Sequence, residues 1–176
     1  MTRIELAKKI YDVAYLKGEF LLRSGKISNE YFDKYQFESS PILLNSITKE
    51  FIPIISKLSF DYLAALEMGG IPIATAISLE INKEVVFVRK KAKEYGTQKF
   101  AEGPAINGKT LLIVEDVITS GGQVILSKNQ LQSEGAIVND VICVIDRESG
   151  GKELLNENNL NLYPLFTISE IKKSSF

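Results

Sequence analysis

Apolar residues recur at Ile4, Ala7, Ile10, Val13 and Ala14, the spacing that places them on one face of a helix, and Gly18 is positioned to stop it. A short strand over 20–22 is expected next. Pro41 opens a second helical pattern through Leu44, Ile47, Phe51, Ile54 and Ile55, with Pro53 expected to end or kink it locally. The pattern then changes period. Continuous apolar runs of strand length occupy 62–66, 85–88, 111–114 and 141–145, and strands apolar on both faces belong in a parallel sheet covered by helices. The covering helices are predicted over 72–80 and 123–134, the second closed by Gly135. Beyond Lys152 the pattern reads as a helix, a strand near 162–168 and a short tail. Neither a repeat nor a linker divides the chain, so a single α/β domain over residues 1–176 is expected.

Composition narrows the chemistry. A chain of 176 residues with 45% hydrophobic and 24% charged side chains can build one ordinary core. Its 21 basic residues are balanced by 22 acidic ones, which argues against general binding to nucleic acid or to an anionic membrane. There is no histidine, so Ser-His-Asp and Cys-His mechanisms, histidine zinc sites and the common neutral-pH proton shuttle are excluded. The single Cys143 has no internal disulfide partner, and its apolar neighbours predict a buried thiol. Charged residues at Glu5, Lys8, Lys9 and Asp12 interrupt the N-terminal apolar pattern, unlike a signal peptide. Glu67 and Glu80 break the most apolar stretch, so no membrane span is expected and a cytoplasmic location is.

Two segments carry candidate chemistry. Residues 89–110 form a long stretch without apolar periodicity, with Arg89, Lys90, Lys91, Lys93 and Lys99 gathered in its first half. The other segment begins on the apolar run 111–114. Glu115 and Asp116 follow at its carboxyl end, and Thr119, Ser120, Gly121 and Gly122 then make a turn into a helix beginning near Gln123. In open α/β sheets ligands bind beyond the carboxyl ends of strands. The amides of a helix N-terminus, approached closely where glycines leave the backbone bare, make an anion cradle to which Thr119 and Ser120 add hydroxyl donors. The acidic pair would repel a bare anion. It suits a phosphate ester that also offers hydroxyl groups or a divalent cation, as a ribose 5-phosphate does. A capped strand–helix junction needs a similar turn, but not the whole string.

The run Val114, Glu115, Asp116, Val117, Ile118, Thr119, Ser120, Gly121, Gly122 resembles the signature by which type I phosphoribosyltransferases bind 5-phosphoribosyl 1-pyrophosphate (PRPP). Within that family it is most similar to the orotate phosphoribosyltransferases. Residues 20–28 resemble their N-terminal segment, 69–74 their pyrophosphate-side loop, 88–97 their mobile catalytic loop, and Asp146-Arg147 the position after a late strand where orotate is held. The resemblance implies the type I fold: a mostly parallel central sheet flanked by helices, with a small hood built from about residues 1–40 and the C-terminal segment.

It further implies transfer of the ribose 5-phosphate of PRPP to N1 of orotate in pyrimidine biosynthesis, with Mg²⁺ as cofactor and orotidine 5′-monophosphate and pyrophosphate as products. Carried over by position, PRPP is held by Arg89, Lys90, Lys93, Tyr95, Glu115, Asp116, Val117, Ile118, Thr119, Ser120, Gly121, Gly122 and Gln123. Orotate is held by Lys26, Thr119 and Arg147, and Lys93, Lys26 and Asp116 are the implied catalytic residues. Glu115 and Asp116 would hold the ribose hydroxyls. Mg²⁺ would arrive on PRPP rather than in a protein cage, with Glu115 and Asp116 the carboxylates within its reach. The basic loop of each subunit would reach the neighbouring active site, implying a homodimer.

Two departures from the family pattern shift work onto Arg89, Lys90, Lys93 and Mg²⁺. Tyr95 stands where many members carry a loop histidine, and the run Glu67, Met68, Gly69, Gly70 lacks the lysine some bacterial members place there. Two competing readings remain at this level. A purine or uracil phosphoribosyltransferase would share the PRPP site, although Arg147 and residues 20–28 favour a base bearing a carboxylate. A PRPP-sensing regulator that binds RNA or DNA would need a basic face, which the balanced charge does not favour.

Overall fold

A computed structural model describes residues 1–21, 25, 27–91 and 99–174. Helix α1 (Arg3–Ala14) begins with a capping box, in which Thr2 Oγ1 accepts from the Glu5 amide and Glu5 Oε2 accepts from the Thr2 amide. It ends four residues before Gly18. Tyr15 turns into extended backbone with its ring stacked on Tyr11, and the chain runs directly into strand β1 (Tyr15–Leu21). The expected stop at Gly18 is therefore corrected. That glycine, at φ +157°, lies inside the strand, where the register between β1 and the antiparallel β2 (Ile27–Phe32) slips between Lys17 and Phe20.

The short α2 (Tyr35–Glu38) leads to α3 (Pro41–Ile55), which Ser40 caps by accepting from the Leu43 amide. Pro53 does not end α3 before its own position; the helix runs on to Ile55. Strand β3 (Tyr62–Leu66), helix α4 (Gly70–Ile81) and strand β4 (Val85–Val88) follow. The stretch expected to lack structure contains the two-residue β5 (Ala101–Glu102), with Phe100, Ala101 and Ile106 buried. Next come β6 (Thr110–Ile118), α5 (Gly122–Ser133), β7 (Ile137–Asp146), α6 (Gly151–Glu157), β8 (Asn161–Thr167) and α7 (Ile168–Lys173).

Among the described residues six strands form one sheet in the order β5-β4-β3-β6-β7-β8, parallel except for β5, and β1-β2 form a separate hairpin. Alternation along the strands divides the interior into two layers. Leu63, Ala65, Leu112, Val114, Ile142 and Val144 pack with residues of α1, α2, α3, α4 and α7, including Ile10, Phe37, Phe51 and Ile77. Ala64, Leu66, Leu111, Ile113, Val141 and Cys143 face the other way, against Val124 and Leu131 of α5 and Leu155 of α6. Cys143 is fully buried, and desolvation pushes its thiol well above the ordinary range. Because β3, β6 and β7 are parallel neighbours, their carboxyl ends and the segments that follow lie together at one edge of the molecule. Among the described residues no helix is long and apolar enough to cross a membrane.

Candidate active site

The turn after β6 forms the floor of a cleft of about 270 Å³. Glu115 and residues 117–124 line it, and Lys34, Tyr35, Glu67, Met68 and Lys90 contribute from other elements. Thr119 and Ser120 are exposed there. Gly121 adopts φ +78° as the residue preceding α5, and a Cβ on it would come within 3.2 Å of Leu155 Cγ. Both the left-handed backbone and the close neighbour call for glycine. The first amides of α5 have no carbonyl one turn earlier to accept them, so this end of the cleft suits an anion.

Beneath the cleft lies a cluster of charge. Asp116 is completely buried; its carboxylate pairs with the Lys34 ammonium through Oδ2 and accepts the Val117 amide through Oδ1. Asp116 is the buried member of the pair, so loss of the Lys34 ammonium would leave a buried charge uncompensated. Burial opposes ionisation of Asp116, but hydrogen bonding from Glu115, the charge and hydrogen bond of Lys34 and hydrogen bonding from Glu38 outweigh it, and its pKa is lowered. The neighbours respond oppositely. Burial, then the charge of Asp116 and the hydrogen bond to it, push Glu38 up to about 9. Burial and the hydrogen bond to Asp116 also push Glu115 well above the usual carboxylate range. The arrangement is thus a buried carboxylate held by one ammonium, with two neighbouring carboxyl groups whose pKa values are raised. Of the acidic pair singled out in the sequence, Glu115 faces the cleft while Asp116 lies below it.

The segment after β3 approaches from the side. A Cβ on Gly70 would lie 2.2 Å from the Val114 carbonyl oxygen, and one on Gly69 would lie 1.5 Å from Asp116 Oδ2, so both positions are closed to side chains. Glu67 Oε1 accepts the Lys90 amide at 2.6 Å, tying this segment to the start of the basic stretch. Lys90 lines the cleft. Arg89 does not: its Nε lies 3.6 Å from Glu102 Oε1 in a neighbouring groove that also includes Phe87.

Arg147 follows β7, and its amide donates to the Ile118 carbonyl at 2.9 Å. Its guanidinium lies 5.9 Å from the centre of the Phe32 ring, in a second cleft of about 160 Å³ shared with Tyr15, Ser28, Glu30, Tyr31, Ile168 and Lys172. A cation beside aromatic rings suits a flat anionic ligand. Residues 31 and 32 line this cleft and residues 34 and 35 the first, so one short segment borders both. Lys26, Lys93 and Tyr95, all singled out in the sequence, lie outside the described residues. Lys34 and Glu38 were not singled out. They meet Asp116 only through tertiary folding, and no spacing in the chain signals that.

The phosphoribosyl transferase domain family matches residues 36–159, which include the turn, the acidic pair and Arg147. An orotate phosphoribosyltransferase of Nocardioides sp. is 44% identical over 166 residues, covering 94% of this chain and 92% of that protein. That of Pyrococcus abyssi is 42% identical over 170 residues, covering 95% and 93%. Among solved structures, the orotate phosphoribosyltransferase of Mycobacterium tuberculosis, crystallised with Fe(III) dicitrate, superposes with a TM-score of 0.85 at 25% identity, over 96% of this chain and 98% of that one. A shared fold, a domain match across the cleft and identity sustained along nearly the whole chain lead to one conclusion: this chain belongs to the orotate phosphoribosyltransferases, a branch of the phosphoribosyl transferase family.

Proposed function

We propose that the chain transfers the 5-phosphoribosyl group of PRPP to N1 of orotate, forming orotidine 5′-monophosphate and pyrophosphate in the pathway to UMP. The observation that carries this reading is the pairing of two clefts along residues 31–35, one built for a phosphate ester and the other offering a guanidinium beside an aromatic ring. In the reaction the bond from C1 of the ribose to pyrophosphate breaks and the bond to orotate N1 forms. Positive charge gathers on the sugar and negative charge on the departing oxygens, so catalysis rests on alignment and neutralisation.

Residues 119–122 and the first amides of α5 hold the 5′-phosphate, and Glu115, which faces the cleft, serves the ribose hydroxyls with Asp116 held beneath it. Lys90, at the cleft wall, together with Arg89 and Lys93, faces pyrophosphate once the basic segment closes. Arg147 pairs with the orotate carboxylate. Glu115 is the acidic residue of the pair that faces the cleft, and such a donor set suits a Mg²⁺ ion that keeps most of its ligands from substrate and water. Bound there, Mg²⁺ would neutralise the pyrophosphate oxygens. The working unit is a homodimer in the cytoplasm, with the basic segment of each subunit serving the other.

The test is the loss of orotate absorbance when the protein is mixed with PRPP and Mg²⁺, with uracil and hypoxanthine in parallel. Turnover of orotate alone is expected. Turnover of a neutral base in its place, or of no base, would overturn the assignment.

A further inference from the structure

The Lys34–Asp116 pair joins two places the reaction treats separately. Lys34 directly precedes α2 and follows the hairpin strand that carries Tyr31 and Phe32 into the second cleft. Its ammonium reaches Asp116, on β6, beneath the first cleft, while part of the lysine still lines that cleft. We propose that Lys34 is a positioning residue for PRPP: it fixes the Asp116 carboxylate beneath the cleft, and that carboxylate, through the Val117 amide it accepts, holds the strand end on which Glu115 and Val117 face the ribose.

This rests on the reading of the Glu115 end of β6 as the ribose-binding part of the cleft. The argument for Lys34 is geometric. An aspartate has one free side-chain torsion at its Cβ and one at its carboxylate, and at Asp116 each oxygen is fixed by a different partner. Oδ1 takes the Val117 amide on its own strand, and Oδ2 takes the ammonium of Lys34. Gly69 leaves room for Oδ2 where any side chain would exclude it, so the backbone opposite is shaped around this orientation. Glu38, at the end of α2, four residues after Lys34 and 6% exposed, is buried close enough to this carboxylate for its charge to raise the Glu38 pKa. A solvated surface lysine would have none of these constraints. Lys34 keeps about a third of its side chain exposed, yet its charge is directed at a carboxylate with no exposure at all.

A structural pair and a positioning pair differ in what substrate kinetics reports. Initial rates with PRPP and orotate varied separately are to be measured for wild type, Lys34→Met, Lys34→Arg, Asp116→Asn and the Lys34→Met/Asp116→Asn double variant. Lys34→Met is expected to raise KM for PRPP by about tenfold while leaving KM for orotate within about twofold, and Lys34→Arg to recover most of the loss. On the Asp116→Asn background Lys34→Met should change KM for PRPP by less than about twofold, because its effect passes through Asp116.

A folded Lys34→Met enzyme with an unchanged KM for PRPP would overturn the proposal. So would a loss that adds in full to that of Asp116→Asn. If Lys34→Met alone does not fold, the double variant, which leaves no buried unpaired charge, and Lys34→Arg carry the comparison. Calorimetric titration with PRPP alone repeats the test without a base. A wild-type protein that bound PRPP but did not turn over orotate would refute the acceptor assignment, while the Lys34 proposal would still stand or fall on PRPP affinity.

Discussion

Gly69 shows how much one missing methyl group decides. Its backbone angle, φ −70°, is open to any residue, so conformational freedom does not explain it. Space does: a Cβ would meet Asp116 Oδ2 at 1.5 Å. Gly69→Ala should therefore displace the carboxylate or the segment itself. It is expected to cost about 1–3 kcal/mol in a urea or thermal melt and to raise KM for PRPP. Wild-type values in both measurements would show that Asp116 can move without consequence. At this scale the sequence was informative wherever chemistry is local. The turn 119–122 was legible because its hydroxyls and glycines are contiguous with their strand and helix. Lys34 and Glu38 were not, since their partner lies some eighty residues away and nothing in an alternating pattern records a contact across that distance.

Secondary structure was legible in proportion to burial. The strands over 62–66 and 85–88 agree with β3 and β4 to the residue, because a parallel strand covered on both sides reads as an unbroken apolar run. β6 and β7 extend past their apolar cores, and the extension of β6 contains Glu115 and Asp116, where function replaces hydrophobic residues with charged ones. The hairpin was least legible. Most of its residues are exposed or half-buried, which removes the two-residue alternation by which a strand is recognised.

Helix α7 gives a prediction of its own. It has six residues, too few to be stable alone, and its start depends on Thr167, whose Oγ1 accepts the Glu170 amide while Glu170 Oε2 accepts the Thr167 amide. Thr167→Ala should cost about 1 kcal/mol of stability. Because Ile168 and Lys172 line the cleft that holds Arg147, the same change should raise KM for orotate and leave KM for PRPP unaltered. Equal changes in both constants would mean that α7 supports the molecule generally rather than that cleft.

The arrangement of the whole molecule was legible in outline because alternating strands and helices admit few topologies, and the order β4-β3-β6-β7 brings the carboxyl ends that matter side by side. The short antiparallel β5 at the sheet edge was not, since two residues carry no period. The proposed sharing of active sites between subunits is testable at this scale. Lys93→Ala is expected to lower kcat far more than it weakens PRPP binding, and Arg147→Ala to abolish useful affinity for orotate. If each subunit supplies its basic segment to the other, mixing the two defective proteins and allowing subunits to exchange should restore about one quarter of wild-type activity, because half the dimers then contain one complete site. No gain after verified exchange would place each segment in its own subunit.

Cys143 has a practical consequence. The only thiol of the chain stands on β7, between β6 and β8, fully buried, with its ionisation suppressed by desolvation. Thiol reagents need an accessible thiolate, so they should ignore the folded protein. A cysteine introduced on the basic segment would then be the sole point of attachment for a fluorophore or spin label, without any need to remove the native one. The native cysteine, left in place, would become labelled only when the sheet itself opens, so its slow modification would time the unfolding of the domain.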